Sequence, residues 1–335
     1  MRNYLRIPRI MLYLLLVTCS VTIPACRRSE VPGDSPTPTK VRIGYQALSS
    51  SWTFFVANER LPGREKSFFE EEGLDVEEVR FDSSNTAMEA MLSGQIATDS
   101  ATTMTVLFNV EEKSPGSLKC FGFQMHTSTQ FLESFIARKG SQIRGYNDLR
   151  GRKVGVFPGS LNTQITKLLV QSYMDPEKDV TIVQMLPPVQ LQALTQGEVD
   201  ALISYEPTTT LAVTKGVAEV VEHSPWAKHL FEPFPVAAYC FTSNYLDKQP
   251  DNARKIARAW ARAMQFVKEN PSVAAQTIPK YTGIPLGVAP RLNQPLQQTS
   301  AEVDRAAVRK LGELYLKFGV TAQPVKADEI YYQQP

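Results

Sequence analysis

The chain has few of the residues that most often carry catalysis or bind metal ions. Its 335 residues include three histidines and four cysteines, and they form no HExxH, GxSxG, Walker-lysine or paired-cysteine motif. The formal net charge is only +2, and no basic stripe with interleaved aromatic residues is present, which argues against a nucleic-acid partner. The sequence therefore predicts no catalytic residue, no cofactor and no metal site.

Long apolar runs are lacking as well. The apolar run near the N-terminus, residues 10–17, is too short to span a bilayer permanently, and arginines at positions 2, 6 and 9 precede it, as in a secretory signal. Residues 23–26 read Ile-Pro-Ala-Cys, which resembles the lipobox of bacterial lipoproteins, whose cysteine is lipidated and becomes the N-terminus.

This pattern predicts an exported protein that is anchored by lipid to a bacterial membrane, in the periplasm or on the outer face of the cell membrane. We expect a signal peptide over residues 1–25, lipidation at Cys26 and a flexible Pro-rich linker over residues 26–39. The alternative is a plain secretory signal with an incidental Cys26.

Two cysteines remain in the predicted body, Cys120 and Cys240, and each lies in an apolar run typical of a buried strand. Cysteines in an oxidising compartment can pair, but the bond geometry is demanding and buried free thiols are common. We expect two buried thiols and keep a disulfide between them as the alternative.

Apolar strands and helices alternate along the chain from residue 40 onward. Helix ends carry their usual signals, such as a Thr299-x-x-Glu302 capping box before the last helix. The βαβαβ pattern predicts an α/β fold in which the carboxyl ends of parallel strands carry the ligand-facing turns. We expect two lobes, each a mostly parallel sheet flanked by helices, with a ligand cleft between them. Residues 40–137 and 238–335 are assigned to lobe 1 and residues 138–237 to lobe 2, so the chain crosses twice between the lobes.

The most informative stretch spans residues 148–207. Its first half is an apolar strand, a Pro-Gly-Ser turn and a helix that begins near Asn162. The free backbone N–H groups and the positive end of the helix dipole at such a turn suit a ligand. Its second half is a helix ending at Gly197 and a strand that leads into Tyr205 and Glu206, whose side chains are expected to face the same crevice.

Three turns rich in hydroxyl side chains, residues 49–52, 100–103 and 160–163, are expected to converge on this crevice. The candidate ligand-binding residues from these turns and from the end of the later strand are Ser49, Ser50, Trp52, Thr102, Thr103, Ser160, Leu161, Asn162, Thr163, Tyr205 and Glu206. For the hydroxyl residues, simple helix capping is the alternative role.

The three turns hold no lysine or arginine, so an anion would be held by backbone amides and helix dipoles. Glu206 instead suits an amine or amidine, and Trp52 or Tyr205 suits a ring or a cation. The alternatives are that Glu206 is held by hydrogen bonds within its lobe and that Trp52 packs in the core.

Several short motifs follow one another along the chain: VRIGY at 41–45, FFEEEGLDV at 68–76, DLRGRKVGV at 148–156, Gly159-Ser160, and the run from Ala193-Leu194 through Gly197-x-Val199-Asp200-Ala201 to Glu206-Pro207. In this order they resemble the solute-binding proteins of ABC importers, in the branch that includes sulfonate, taurine, nitrate and thiamine-precursor binders. The resemblance implies a type II periplasmic-binding fold, capture of ligand by lobe closure, and a membrane permease as the partner of a monomeric binding protein.

The resemblance also implies a small polar organic ligand, either a sulfonate-like anion or an aminopyrimidine-type thiamine precursor. Two rival functions stay open. One is an enzyme of the same fold, related to the synthase of the thiamine pyrimidine, and the other is an extracytoplasmic ligand sensor domain.

Overall fold

The computed structural model describes residues 37–158 and 160–333, with the backbone alone at Ser160. The predicted signal peptide and the predicted lipidation site Cys26 lie outside these residues. Within them, no helix combines the length and the apolar composition that a membrane crossing requires.

The strands of the described residues fall into three sheets. In chain order they are β1 (Thr39–Tyr45), β2 (Leu74–Arg80), β3 (Thr98–Asp99), β4 (Thr102–Thr103), β5 (Leu118–His126), β6 (Glu133–Arg138), β7 (Arg152–Val156), β8 (Val180–Gln184), β9 (Ala201–Tyr205), β10 (Ala218–His223), β11 (Phe234–Thr242) and β12 (Leu296–Thr299).

Helices alternate with these strands and then dominate the C-terminal third. They are α1 (Trp52–Asn58), α2 (Phe68–Glu71), α3 (Ser84–Leu92), α4 (Met104–Lys113), α5 (Ser160–Val170), α6 (Pro187–Gln196), α7 (Thr208–Thr214), α8 (Pro225–His229), α9 (Ser243–Lys248), α10 (Pro250–Glu269), α11 (Pro271–Ala274), α12 (Ile278–Thr282) and α13 (Arg305–Lys317). Short 3-10 turns cover Ser49–Ser51, Tyr146–Leu149, Ala275–Thr277 and Ala289–Arg291.

The first sheet is three-stranded and parallel, in the order β2-β1-β3. Val41 and Ile43 of β1 are buried while Arg42 between them is exposed, because successive side chains of a strand point to opposite faces. The predicted parallel pairing of the first strands is confirmed.

The second sheet has four strands in the order β12-β5-β11-β4, and all its neighbours are antiparallel. The expectation of mostly parallel sheets does not hold here, because the chain leaves this part of the fold along β5 and returns along β11, which therefore run in opposite directions. Cys120 and Cys240 are register partners on these two strands. Both are buried and free, as predicted.

The third sheet has five strands in the order β10-β6-β9-β7-β8. β7 is parallel to β8 and β9, while β6 is antiparallel to β9 and β10. The helix α6 that packs on it ends at Gly197, whose left-handed φ of 76° is the usual glycine C-cap, as predicted. Because strands β6–β10 form this sheet and the strands before and after them form the other two, the chain passes between sheets through residues 127–132 and 224–233.

An aromatic core supports the first two sheets. Trp52 and Phe54 of α1 pack with Trp260 of α10 and with Tyr281 of α12 in one cluster of buried side chains. Burying each such side chain contributes about 1.5–3 kcal/mol. This core fixes the position of the turn before α1, which carries part of the candidate site.

The start of the last helix differs from the sequence expectation. α13 begins at Arg305, and the Asp304 side chain caps it by accepting from the N–H groups of Ala306 and Ala307. Glu302 does accept from the N–H of Thr299 at 2.9 Å, but the pair forms a local turn ahead of the helix. The predicted role of Thr299 as the N-cap is therefore wrong.

Candidate ligand-binding site

Hydroxyl groups at the ends of β1 and β3 lie against each other. After β1 the 3-10 turn Ser49–Ser51 leads into α1, and after β3 the chain turns at Ser100. The hydroxyl oxygens of Ser51 and Ser100 are 2.6 Å apart, and both side chains are buried. Because β1 and β3 are parallel neighbours, their carboxyl ends meet at one edge of the sheet. These two turns converge, as the sequence predicts.

Asp99 is a fully buried carboxylate beneath these turns. The Gln46 amide donates to both carboxylate oxygens, at 3.1 and 3.0 Å, and the Thr102 hydroxyl lies 3.5 Å from one of them. Burial raises the pKa of Asp99 to about 6, and hydrogen bonds from Gln46 and from the backbone N–H groups of Ser100 and Ala101 partly oppose that rise. Asp99 therefore orders the turn.

The turn after β1 also contacts the end of β9 in the five-stranded sheet. The Ser49 hydroxyl donates to the backbone carbonyl of Glu206 at 3.3 Å. Next to Glu206, the Tyr205 hydroxyl donates to Oδ1 of Asn162 at 3.0 Å, in the first turn of α5. The turn after β1 and the first turn of α5 thus contact neighbouring residues, Glu206 and Tyr205, at the end of β9.

Aromatic side chains form the wall around Tyr205. Its ring meets Phe157 at 5.9 Å and Trp226 at 5.7 Å, both nearly edge to face. Burial raises the pKa of Tyr205 well above its ordinary value, so the hydroxyl stays protonated and acts as a donor. Leu161 is buried in the apolar cluster beside this wall.

The Glu206 carboxylate is buried and already has hydrogen-bond donors. It accepts from the N–H and the hydroxyl of Thr210, at 3.1 and 2.9 Å, and from the Asn293 side-chain amide at 2.8 Å. Burial raises the pKa of Glu206, and these hydrogen bonds oppose the rise. Internal hydrogen bonds therefore occupy this carboxylate. This agrees with the alternative that hydrogen bonds hold Glu206 in place, except that one donor, Asn293, lies far along the chain.

Several other candidates have structural roles. Trp52 is buried, and its indole N–H donates to the Ala274 carbonyl at 2.9 Å, which corresponds to the packing alternative. Thr102 is buried beside Asp99, whereas Thr103 is exposed. Because of these contacts, Trp52 is a core residue in this structure.

Two of the remaining candidates contact glutamine side chains of neighbouring strands. The Ser50 carbonyl accepts from the Gln124 amide at 2.7 Å, and the Thr163 hydroxyl accepts from Gln184 at 3.0 Å. Ser160 is the first residue of α5, and its side chain lies outside the described atoms. The predicted contact of that hydroxyl with a ligand stays a prediction.

Sequence reasoning missed a polar group on the antiparallel sheet. Gln124 of β5 is fully buried and donates to the Tyr239 hydroxyl at 2.8 Å, and Tyr239 donates to Gln297 at 2.6 Å. Oε1 of Gln124 has no hydrogen-bond partner among the described atoms. The available signal was a glutamine in the largely apolar run of residues 120–125, because a buried polar side chain usually needs partners.

A buried contact between a histidine and a glutamate links the two segments that pass between the sheets. Nδ1 of His126 contacts the Glu133 carboxylate, and both side chains are fully buried. Nε2 of His126 accepts from the N–H of Leu132 at 3.2 Å, so Nδ1 carries the proton. Glu133 also accepts from the N–H of Trp226 at 3.2 Å. The pair therefore joins residues 127–132 to residues 224–233.

The chemistry of these residues suits a small polar molecule. They offer hydroxyls, amides and aromatic rings, while internal hydrogen bonds occupy the two carboxylates, and no lysine or arginine side chain takes part in the hydrogen bonds described above. Among the described residues, no group of three or more His, Cys, Asp or Glu side chains is placed to hold a metal ion. The predicted absence of a cofactor stays a prediction.

Comparison with known proteins gives one relative and two solved structures of note. A Bacillus subtilis (strain 168) protein named as an aliphatic sulfonates-binding protein is 23% identical over 270 residues, which are 78% of this chain and 75% of the relative. The periplasmic aliphatic sulphonate binding protein SsuA from Escherichia coli superimposes with a TM-score of 0.70 at 18% identity, covering 89% of this chain and 93% of SsuA. The desulfurization enzyme DSZB superimposes with a TM-score of 0.66 at 14% identity, covering 88% of this chain and 97% of the enzyme.

The structural likeness confirms the predicted fold class, the two-lobe α/β fold of periplasmic solute-binding proteins. The sequence profile described as NMT1/THI5 like matches residues 60–274, more than half of the chain. The chain belongs to the NMT1/THI5 like family.

Proposed function

We propose that the protein is an extracytoplasmic solute-binding protein that captures a small polar organic solute and delivers it to an ABC transporter permease. The observation that carries this proposal is the hydrogen bond from Ser49, on one side, to the carbonyl of Glu206, on the other, next to the hydrogen bond between Tyr205 and Asn162. Closure of two lobes around such groups excludes water and strengthens their hydrogen bonds to a solute. The names of the Bacillus relative and of SsuA support the same function.

We propose that the lobes divide within residues 127–132 and 224–233. The sheets support this division, since strands β6–β10 pair with one another and the strands on either side belong to the other two sheets. The sequence predicts the boundaries a few residues later, near 138 and 237. From here on, lobe 1 means residues 37–126 and 234–333, and lobe 2 means residues 133–223.

Two ligand classes have support, and they differ in charge. A sulfonate-like anion fits the name of the Bacillus relative and the amide-rich start of α5. An aminopyrimidine-type solute fits the aromatic wall of Phe157, Tyr205 and Trp226, on which a ring can stack. Both are small, polar and organic, so the class of function is the same in either case.

We propose binding without catalysis, although the similar DSZB structure belongs to an enzyme. The thiols of Cys120 and Cys240 are buried within a sheet, and the side chains of His126 and Glu133 contact each other. Glu133 is the register partner of Tyr205, but its carboxylate is occupied by His126 and by the N–H of Trp226, and the two thiols are buried, so neither pair offers a free nucleophile or base. Conversion of a bound solute into a product would contradict this proposal.

Titration calorimetry with a panel of aliphatic sulfonates, nitrate and aminopyrimidines tests the function. We expect one class to bind and to be recovered unchanged, and Asn162→Ala to weaken its binding by about tenfold, as expected for a lost hydrogen bond to the solute and a disturbed Tyr205. Asn252→Ala on α10, far from the cleft, is the matched control and should leave the affinity unchanged. No binding across the panel, or equal binding by the two variants, would count against the proposal.

We also propose that a lipid on Cys26 anchors the protein, since the lipobox-like residues 23–26 precede it. Cys26→Ser should move the protein from the membrane fraction to the soluble exported fraction of a bacterial host. Retention of the variant in the membrane fraction would rule out anchoring through this residue.

A further inference from the structure

The Glu206 carboxylate draws its hydrogen-bond donors from both lobes. Within lobe 2, Thr210 donates from its backbone N–H and its hydroxyl, at 3.1 and 2.9 Å. From lobe 1, the Asn293 side-chain amide donates at 2.8 Å and its backbone N–H at 3.4 Å. Only 4% of Glu206 is exposed, so little water reaches this carboxylate in the structure.

Each donor is fixed to its own lobe by packing. Thr210 lies in α7, whose Ala212 is buried in a cluster with Leu202 of lobe 2. Asn293 follows Leu292, which is buried in the same core as Trp52, and precedes β12, which pairs with β5 in lobe 1. The Thr210 hydroxyl also lies 3.5 Å from the Arg291 carbonyl of lobe 1. Separation of the lobes would therefore break the contacts of lobe 2 with Asn293 and Arg291 and keep the bond between Thr210 and Glu206.

The backbone of Glu206 makes two more connections of the same kind. Its carbonyl accepts from the Ser49 hydroxyl of lobe 1 at 3.3 Å, and its N–H donates to the carbonyl of Leu132 at 2.8 Å. Leu132 belongs to the first segment between the lobes. One residue thus touches lobe 1 at two points and one of the crossing segments.

We propose that Glu206 is a positioning residue that latches the lobes together through Asn293 and Ser49, and that it does not select the solute by direct contact. A hydrogen bond to an ionised carboxylate is stronger than one between neutral groups, so the amide of Asn293 is suited to this role. The latch rests on the proposed function for its purpose, because a closed cleft traps a solute, but its effect on closure requires no solute.

The distance between the lobes in solute-free protein tests the latch. Spin labels are attached to cysteines that replace two exposed glutamates, Glu77 on β2 and Glu219 on β10, and the distance is measured by double electron–electron resonance. We expect the spin-labelled protein that keeps both Glu206 and Asn293 to show two distances, one from a closed population and one from an open population. Asn293→Ala should lower the ratio of closed to open by about tenfold, the effect of losing one charge-assisted hydrogen bond.

The control and the second variant separate a latch from general damage to the fold. Gln294→Ala removes the neighbouring amide, whose nitrogen has no hydrogen-bond partner among the described atoms, and it should leave the ratio unchanged. Glu206→Gln should lower the ratio, and its combination with Asn293→Ala should lower it no further than the larger single effect, because both act on one contact. Should Glu206→Gln fail to fold, Asn293→Ala with Ser49→Ala carries the test.

Three results would overturn the latch. The first is a closed-to-open ratio that Asn293→Ala leaves unchanged, and the second is a solute-free protein that is fully open. The third is a double variant in which the effects of Glu206→Gln and Asn293→Ala add. The measurement is separate from solute binding. If Asn293→Ala shifts the distances between the spin labels but the protein binds none of the tested solutes, the latch is supported and the proposed function is contradicted. If the protein binds a solute but Asn293→Ala leaves these distances unchanged, the proposed function is supported and the latch is contradicted.

Discussion

Buried carboxylates determine much of the chemistry of this cleft at the scale of single residues. Asp99 is held by Gln46 and by the turn it supports, and Glu206 is held by Thr210 and Asn293. Each carboxylate is costly to bury and is retained with a full set of donors. The pKa of each is raised by burial, and this has a measurable consequence for Asp99.

Asp99 should make the folded protein less stable as the pH rises through its titration range. Its pKa is raised from 3.8 to about 6, so between these values the folded state keeps a proton that the unfolded state has released. The free energy of unfolding should therefore fall by roughly 3 kcal/mol from about pH 4 to above pH 6. Asp99→Asn should lack this decline. Urea unfolding of both proteins at pH 4 and pH 7.5 measures it, and a difference between them that is independent of pH would contradict the account.

Single residues near strand ends were predictable from the sequence, and distant ones were not. Ser49 and Tyr205 directly follow or end apolar strands, and the carboxyl ends of neighbouring strands must meet. Asn293 has no such local signal, because it reaches Glu206 only through the folding of a segment far along the chain. Trp52 carried an ambiguous signal, since an aromatic residue at a helix start suits both a core and a ligand.

At the scale of elements, helices begin and end where the capping residues in the sequence predict, except where a tertiary contact competes. Gly197 ends α6 as predicted. Thr299 and Glu302 have the spacing of a capping box, but Thr299 is the last residue of β12, which pairs with β5. Sheet pairing therefore holds Thr299 in an extended strand, and the helix begins later, behind Asp304.

The cap of α13 can be tested by substitution. Asp304→Ala removes the acceptor for two N–H groups of the first turn and should lower the free energy of unfolding by about 1 kcal/mol. Thr299→Ala is the matched control, because its exposed hydroxyl bonds only outside the helix, and it should cost clearly less. Urea unfolding compares the two, and a larger cost for Thr299→Ala would mean that the helix start has been assigned to the wrong residue.

At the scale of the whole molecule, the alternation of strands and helices predicted the α/β class and the two lobes. It did not predict the antiparallel sheet around β5 and β11, because alternation alone does not reveal which strands carry the chain out of a lobe and back again. The two crossing segments meet at Glu133, which contacts His126 and Trp226. Glu206 lies beside this junction, because its N–H donates to the carbonyl of Leu132, and it also contacts Ser49 and Asn293 of lobe 1.

The central claim is that one solute is held by both lobes at the same time. Hydrogen–deuterium exchange with and without the solute found by calorimetry, present at about 100 times its dissociation constant, tests this claim most directly. Binding at that concentration adds about 2.7 kcal/mol to the free energy of unfolding. We predict slower exchange, beyond this global effect, for amides around Ser49 and Ser100 in lobe 1 and around Asn162 and Tyr205 in lobe 2. Extra protection confined to one lobe, or centred away from these turns, would contradict the account.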